Sequence, residues 1–236
     1  MKQTMKSLQK TLDILEYISL RNGESVTPCE AADALQVNPA TCTRIMGELV
    51  KRGYLEKISR RSGYVIGPMI AAMNTRDNLF TRIAKAADKP LRHLCRSLDR
   101  QVNIAVMHGT GRIMLCFHFN DPLARPWTKF LMDDHPKTAT GRLLLSCLDD
   151  VQARKVCEKC GMEYSAEYFA QVRRDGFVRF EENDLVIIGH SVIVPGYPAA
   201  AFGFGVKPEF ADRAMELSAE TAAAIRVRLL PQSAAY

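Results

Sequence analysis

Apolar residues recur at helical spacing through the first fifty positions, and the period then shortens to two. Leu8, Leu12, Leu15 and Ile18 lie four and three apart, so they share one face of a helix over 7–19. Asn22-Gly23 supplies the turn that ends it. Thr27-Pro28-Cys29-Glu30 opens a second helix in capping-box form, with a hydroxyl at the cap, proline first and glutamate third. Ala31, Ala32 and Leu35 give that helix a small, closely packing face, and Gln36-Val37 is a short connection. Asn38-Pro39 caps a third helix that reaches about Arg52 and stops at Gly53. Val37, Ile45 and Leu49 turn inward, which leaves Ala40, Thr41, Thr43 and Arg44 off the buried stripe. Two β-prone runs, 54–58 and 64–66, flank the polar Ser59-Arg60-Arg61-Ser62-Gly63 and read as a hairpin.

Residues 69–78 read as a helical linker. A stripe of Leu79, Ile83, Ala86 or Ala87, Leu91, Leu94 and Leu98 continues beyond it, interrupted at Pro90. Val102, Ile104 and Val106 then alternate with Asn103 and Ala105. His108-Gly109-Thr110-Gly111 turns the chain, and Ile113 to Phe117 returns it, as in a half-buried antiparallel sheet. Residues 121–127 form a loop and 128–131 a short strand. Thr140-Gly141 leads into an apolar helix through Leu148, and Asp149 and Ser165 cap two more. Strands are expected at 177–181, 191–194 and 201–206, with Gly203-Phe204-Gly205 at a sheet edge, and a last helix over 208–229. The pattern predicts an α+β chain whose antiparallel sheet has five or six strands.

Composition narrows the reading. The 32 Lys and Arg outnumber the 26 Asp and Glu in 236 residues, a net charge of +6 that suits a polyanionic partner without requiring one. No run approaches the roughly 18 apolar residues of a membrane span. The basic start is followed by an amphipathic helix, not by a leader's apolar run. Seven scattered cysteines are an odd number and form no disulfide framework, so a cytoplasmic protein with reduced thiols is expected.

The first seventy residues carry the chemistry. Two short capped helices joined by a tight turn, the second led by small and polar residues and an arginine, describe a helix-turn-helix. The second helix of such a motif enters the major groove with its first turns. Pro39, Ala40 and Thr41 allow close approach, and Thr27, Thr41, Thr43 and helix-start amides can meet phosphate. Arg44 can donate two hydrogen bonds to a guanine edge. Arg60 and Arg61, at the hairpin tip, are placed for backbone or minor-groove contact, which makes the hairpin a wing.

Ser7 to Leu15, Asn38 to Ile45, Leu49 to Glu56 and Tyr64 to Pro68 resemble the IclR family of bacterial regulators in order and spacing. Pro136-Lys137-Thr138-Ala139-Thr140-Gly141-Arg142 is similar to that family's segment at the mouth of its effector pocket, with Arg142 where Lys is usual. Residues 176–195 resemble its C-terminal signature, with one residue inserted after Gly176, Ile188 in place of Gly, and a shortened turn after Pro195. The resemblance implies a winged helix-turn-helix domain at 1–68, a helical linker at 69–78, and a GAF/profilin-like effector-binding and oligomerisation domain at 79–236. It implies a small-molecule effector, an organic acid or aromatic metabolite. Thr138, Ala139, Thr140 and Gly141 would line one wall, Ser191 would face the same cavity, and Asn103 and His190 are further candidates.

Other chemistry is sparse. Cys157-Glu158-Lys159-Cys160 lacks the second ligand pair of a zinc site and falls in an expected helix, although two thiols one turn apart leave a redox switch open. No G-x-S-x-G, H-E-x-x-H or phosphate-binding glycine loop occurs, so no catalytic residue, metal or cofactor is expected. The expected partners are a palindromic double-stranded DNA operator, a small effector and a second or further copies of the chain. A helix-turn-helix alone buries little DNA, and two copies one helical turn apart read a palindrome. A redox-sensing regulator and a DNA-binding module with a purely oligomerising second half are the alternatives.

Overall fold

A computed structural model describes residues 5–21, 23–59, 62–75, 77–121 and 130–230. The chain divides into two compact units, one of residues 1–77 together with Phe130, the other of the described residues from 78 to 121 and from 131 to 230.

The first unit consists of α1 (Lys6–Ser19), α2 (Pro28–Leu35), α3 (Pro39–Lys51), the hairpin β1 (Leu55–Ser59) and β2 (Gly63–Ile66), and α4 (Pro68–Asn74). The α2 start is the expected capping box. Thr27 Oγ1 accepts from Glu30 N at 3.3 Å, and Glu30 Oε2 accepts from Thr27 N at 2.7 Å. Gln36 takes a left-handed conformation at φ 53°, and this reverses the chain toward α3 within two residues. Asn38 Oδ1 then accepts from Ala40 N and Thr41 N. Ile14, Tyr17, Ile18, Val26, Cys42, Met46, Leu49 and Leu55 form the core.

Two details differ from the periodicity reading. In α1 the buried side is Ile14, Tyr17 and Ile18, whereas Leu8 and Leu12 stay exposed within the unit. In α3 the innermost residues are Cys42 and Met46, and Ile45 is half-buried. Spacing of three or four leaves the centre of a stripe free to rotate by about one residue, and only the neighbours in space fix it.

The second unit begins with α5 (Leu79–Leu98) and carries a six-stranded antiparallel sheet. Its strands are β3 (Val102–His108), β4 (Gly111–His118), β5 (Leu131–Met132), β6 (Phe177–Glu182), β7 (Leu185–Val192) and β8 (Ala200–Val206), in the order β5-β4-β3-β8-β7-β6. Helices α6 (Ala139–Ser146), α7 (Asp150–Cys160) and α8 (Ala166–Asp175) lie between β5 and β6, and α9 (Ala211–Leu229) follows β8. The α5 helix runs through Pro90 without a break. Pro90 is buried in a helix that packs along α9 and the sheet, and that packing outweighs one lost backbone bond. The strand expected at 191–194 starts six residues earlier, at Leu185. The apolar run from Leu185 to Ile188 lies between two hydrogen-bonded neighbours and continues the ladder. Residues 203–205 are not at an edge, because β8 is central, paired to β3 and β7. The expected strand positions 128 and 129 and most of the 121–127 loop lie outside the described residues.

One sheet face packs on α5 and α9 through Val102, Ile104, Val106, Ile188, Phe202 and Phe204. The alternate residues face α6.

Candidate functional site

On α3 the polypeptide presents Ala40, Thr43, Arg44, Glu48 and Lys51 to solvent, opposite Cys42, Met46 and Leu49. Ala40, Arg44, Gly47 and Lys51 follow one another at spacings of four, three and four, so they form a line along the outer face. A Cβ on Gly47 would meet nothing within 4 Å, which leaves the middle of that face flat and open. Gly47 and Lys51 had no role in the sequence reading. The signal was present in the i, i+3, i+4 continuation of Ala40 and Arg44.

The first turn of α3 is less free than its sequence suggests. The amides of Ala40 and Thr41 are taken by Asn38 Oδ1, so they do not stand open for a phosphate. Thr43 Oγ1 donates to Pro39 O at 3.0 Å, and Thr41 is half-buried. Pro39 is exposed. Thr27 spends its hydroxyl within the capping box. The exposed cations of this line are therefore Arg44 and Lys51, the latter paired to Glu48 at 2.7 Å. The hairpin that follows α3 is tied back to the helices. Val26 and Tyr64 form a bridge, and a Cβ on Gly63 (φ 84°) would fall 2.5 Å from Val26 O. Arg60 and Arg61, assigned to the wing tip, lie outside the described residues.

In the second unit the segment 138–141 forms a helix start, as expected, but Thr138 is the cap and not Thr140. Thr138 Oγ1 accepts from Gly141 N at 3.2 Å. Ala139 and Thr140 are buried. Gly141 admits the preceding turn, since a Cβ there would fall 2.4 Å from both Cα and O of His135. The Ala139 methyl sits on the sheet above Gly189 and Gly203. Gly203 pairs with Gly189 on one side and Asn103 on the other, so Asn103 stands beside the first turn of α6. Its Oδ1 is buried without a partner.

His190 does not join this group. Strand alternation turns it to the opposite sheet face, where Nε2 lies 3.0 Å from Ser218 Oγ on α9 and the ring stacks on Phe202. Burial lowers its pKa to about 4. Ser191 keeps to the α6 face, with its hydroxyl donating to Gly176 O at 3.2 Å. Arg142, in the place usual for Lys, stacks over Phe180 at 3.5 Å and donates to Pro136 O at 2.8 Å, so it ties the turn before α6 to β6.

Two buried groups on this face had no part in the sequence reading. Arg112 on β4 is 2% exposed and donates through Nη2 to Asp134 Oδ1 at 2.5 Å. His135 is fully buried, with Nε2 3.0 Å from Thr110 O. Burial, followed by the Arg112 charge, outweighs that bond and lowers the His135 pKa. Cys157 and Cys116 are buried or half-buried thiols. Burial raises the Cys157 thiol pKa, with Cys160 adding to it, and burial pushes Cys116 up to about 12. A thiol held protonated is a weak nucleophile.

Residues 7–59 match the family model of the IclR helix-turn-helix domain. The HTH-type transcriptional regulator BhcR of Paracoccus denitrificans is 25% identical over 111 residues, which cover 47% of this chain and 39% of that protein. Similar folds occur in an IclR transcriptional regulator from Alicyclobacillus acidocaldarius (TM-score 0.67, 16% identity, 96% of this chain and 99% of that one). They occur also in an IclR homologue from Microbacterium hydrocarbonoxydans complexed with 4-hydroxybenzoate (TM-score 0.66, 17% identity, 94% and 98%).

Proposed function

We propose, from an N-terminal unit that carries an IclR-type helix-turn-helix domain and a second unit with the fold of those regulators, that this chain is a sequence-specific transcription regulator. The observation that carries the reading is the line of exposed Ala40, Arg44 and Lys51 with the bare backbone of Gly47 between them on a capped α3. Small residues let the helix sit deep in a major groove, Arg44 reads a guanine edge, and Lys51 meets phosphate. The wing, with Arg60 and Arg61, adds backbone contact. The regulator works in the cytoplasm, where its DNA is, and no described helix is long and apolar enough to cross a membrane.

It acts as a homodimer or homotetramer on a palindrome. Leu8 and Leu12 on α1 and Met69 and Met73 on α4 remain exposed in the first unit, an apolar surface of the kind that marks association. The second unit binds a small organic acid or aromatic effector. The 4-hydroxybenzoate complex of the Microbacterium homologue supports this reading, as does the buried, unpartnered Asn103 beside the α6 start. Thr138, Ala139, Thr140, Gly141 and Asn103 frame the site, Ser191 supports it from β7, and His190 has no direct part. The effector acts by binding better to one spacing of the paired DNA-binding units than to another.

Selection of bound sequences from a random duplex pool with the full chain, followed by footprinting, tests this. A palindrome with half-sites one turn apart is the expected result, and a pool that stays random overturns it.

A further inference from the structure

We propose that Arg112 pairs with an anionic group of the effector, so that this protein selects small carboxylates over neutral molecules of the same shape. The inference rests on the effector-binding reading of the second unit.

Register places Arg112 on the right face. It stands opposite Met107 on β3, as Met114 stands opposite Ala105 and Phe117 opposite Asn103. Val102, Ile104 and Val106 pack on the α5 and α9 side, so Asn103, Ala105, Met107, Arg112 and Met114 share the α6 side. The α6 helix lies over β7 and β8 through Ala139, and Arg112 belongs to the part of this face beyond it.

The guanidinium is buried with one partner. Nη2 donates to Asp134, whereas Nε and Nη1 are buried with no acceptor. An arginine does not neutralise itself by losing a proton, and its fork matches a carboxylate. The Asp134 side chain is 43% exposed, so much of its charge is solvated and not given to Arg112. A buried cation with two unused nitrogens is costly unless an acceptor arrives. A carboxylate can reach Nη1 end-on or Nε side-on. The backbones of Arg112 and Asn103 lie about 13 Å apart along the ladder, and Asp134, which follows Met132 toward Thr110, holds the guanidinium on the side away from Asn103.

Titration of the full chain with benzoate, 4-hydroxybenzoate and pyruvate, against benzamide as the neutral probe, tests the assignment by calorimetry and thermal shift. Carboxylates are expected to bind at least tenfold more tightly than benzamide. Arg112→Met should cost them tenfold or more and leave benzamide unchanged. Its melting temperature without probe should be equal or higher, which shows that the variant folds. Asp134→Asn keeps the cation and should bind benzoate at least as well as the unaltered chain. Equal loss in Arg112→Met and Asp134→Asn would assign Arg112 to holding the turn at Asp134 and overturn the proposal. Equal binding of benzoate and benzamide overturns it too, with the effector site standing. No binding by any probe overturns both.

Discussion

Ala139 occupies the space that a side chain on Gly189 would need: a Cβ at Gly189 would fall 2.6 Å from the Ala139 Cβ and 2.4 Å from Phe202 O. The seat of α6 on the sheet is thus a fit between a methyl group and a bare backbone. Gly189→Ala forces α6 off the sheet or shifts β8, at a cost of about 1–3 kcal/mol. Denaturant unfolding of the full chain should show the loss, and an unchanged midpoint would mean that α6 is not seated there. Probe binding in the second unit should weaken with it, while DNA binding without effector persists.

Asn38 holds the start of the recognition helix by accepting from two amides. Asn38→Ala should lower the stability of the first unit by about 1 kcal/mol, and Asn38→Asp should retain most of it. Circular dichroism melts compare the two. A fall in operator affinity should accompany the alanine variant, since Arg44, the proposed base reader, stands in the turn that this cap supports.

Arg44 and Lys51 share a face, and the proposed function gives them different tasks. Arg44→Ala should weaken specific binding by about 1–3 kcal/mol and leave random DNA nearly unaffected. Lys51→Ala should weaken both alike and reduce the slope of log K against log salt by about 1. Arg60→Ala with Arg61→Ala should also lower that slope. Fluorescence anisotropy at several salt concentrations separates these outcomes, and equal behaviour of Arg44→Ala and Lys51→Ala would remove base reading from Arg44.

His190 makes the second unit acid-sensitive. Its pKa lies at about 4 in the folded protein because burial, and then the Arg226 charge, disfavours the imidazolium, against an ordinary 6.5. The unfolded chain binds the proton first as pH falls, so the stability that His190 contributes is whole above 6.5 and is lost toward pH 4. Burial lowers His118 and His135 in the same direction. Melting temperature should decline over that window, and His190→Gln should flatten the decline in part. A variant with the same pH profile as the unaltered chain would place the sensitivity in the other two histidines.

Much of the first unit was legible because its signals are local. Thr27-Pro28 and Asn38-Pro39 each define a helix start within four residues, and those starts appear where expected. Asp149 and Ser165 do the same for α7 and α8. The site in the second unit was legible only in part. The 138–141 segment announced a helix start, yet the cap lies at Thr138, and His190 and Ser191, adjacent in sequence, face opposite sides of the sheet. Arg112 gave no signal. A single arginine in an alternating strand reads as solvent-facing until its register against Met107 is known.

The amino-acid sequence alone determined the helix boundaries, the turn between α2 and α3, the outward Ala40 and Arg44, and an α+β second half, because capping and periodicity act over a few residues. Tertiary structure decided what depends on distant chain: which strands are central, why Gly189 and Gly203 lack side chains, which face holds His190, and that Arg112 is buried with nitrogens unused. Those outcomes follow from packing and strand register between segments as much as a hundred residues apart, and no local pattern encodes them.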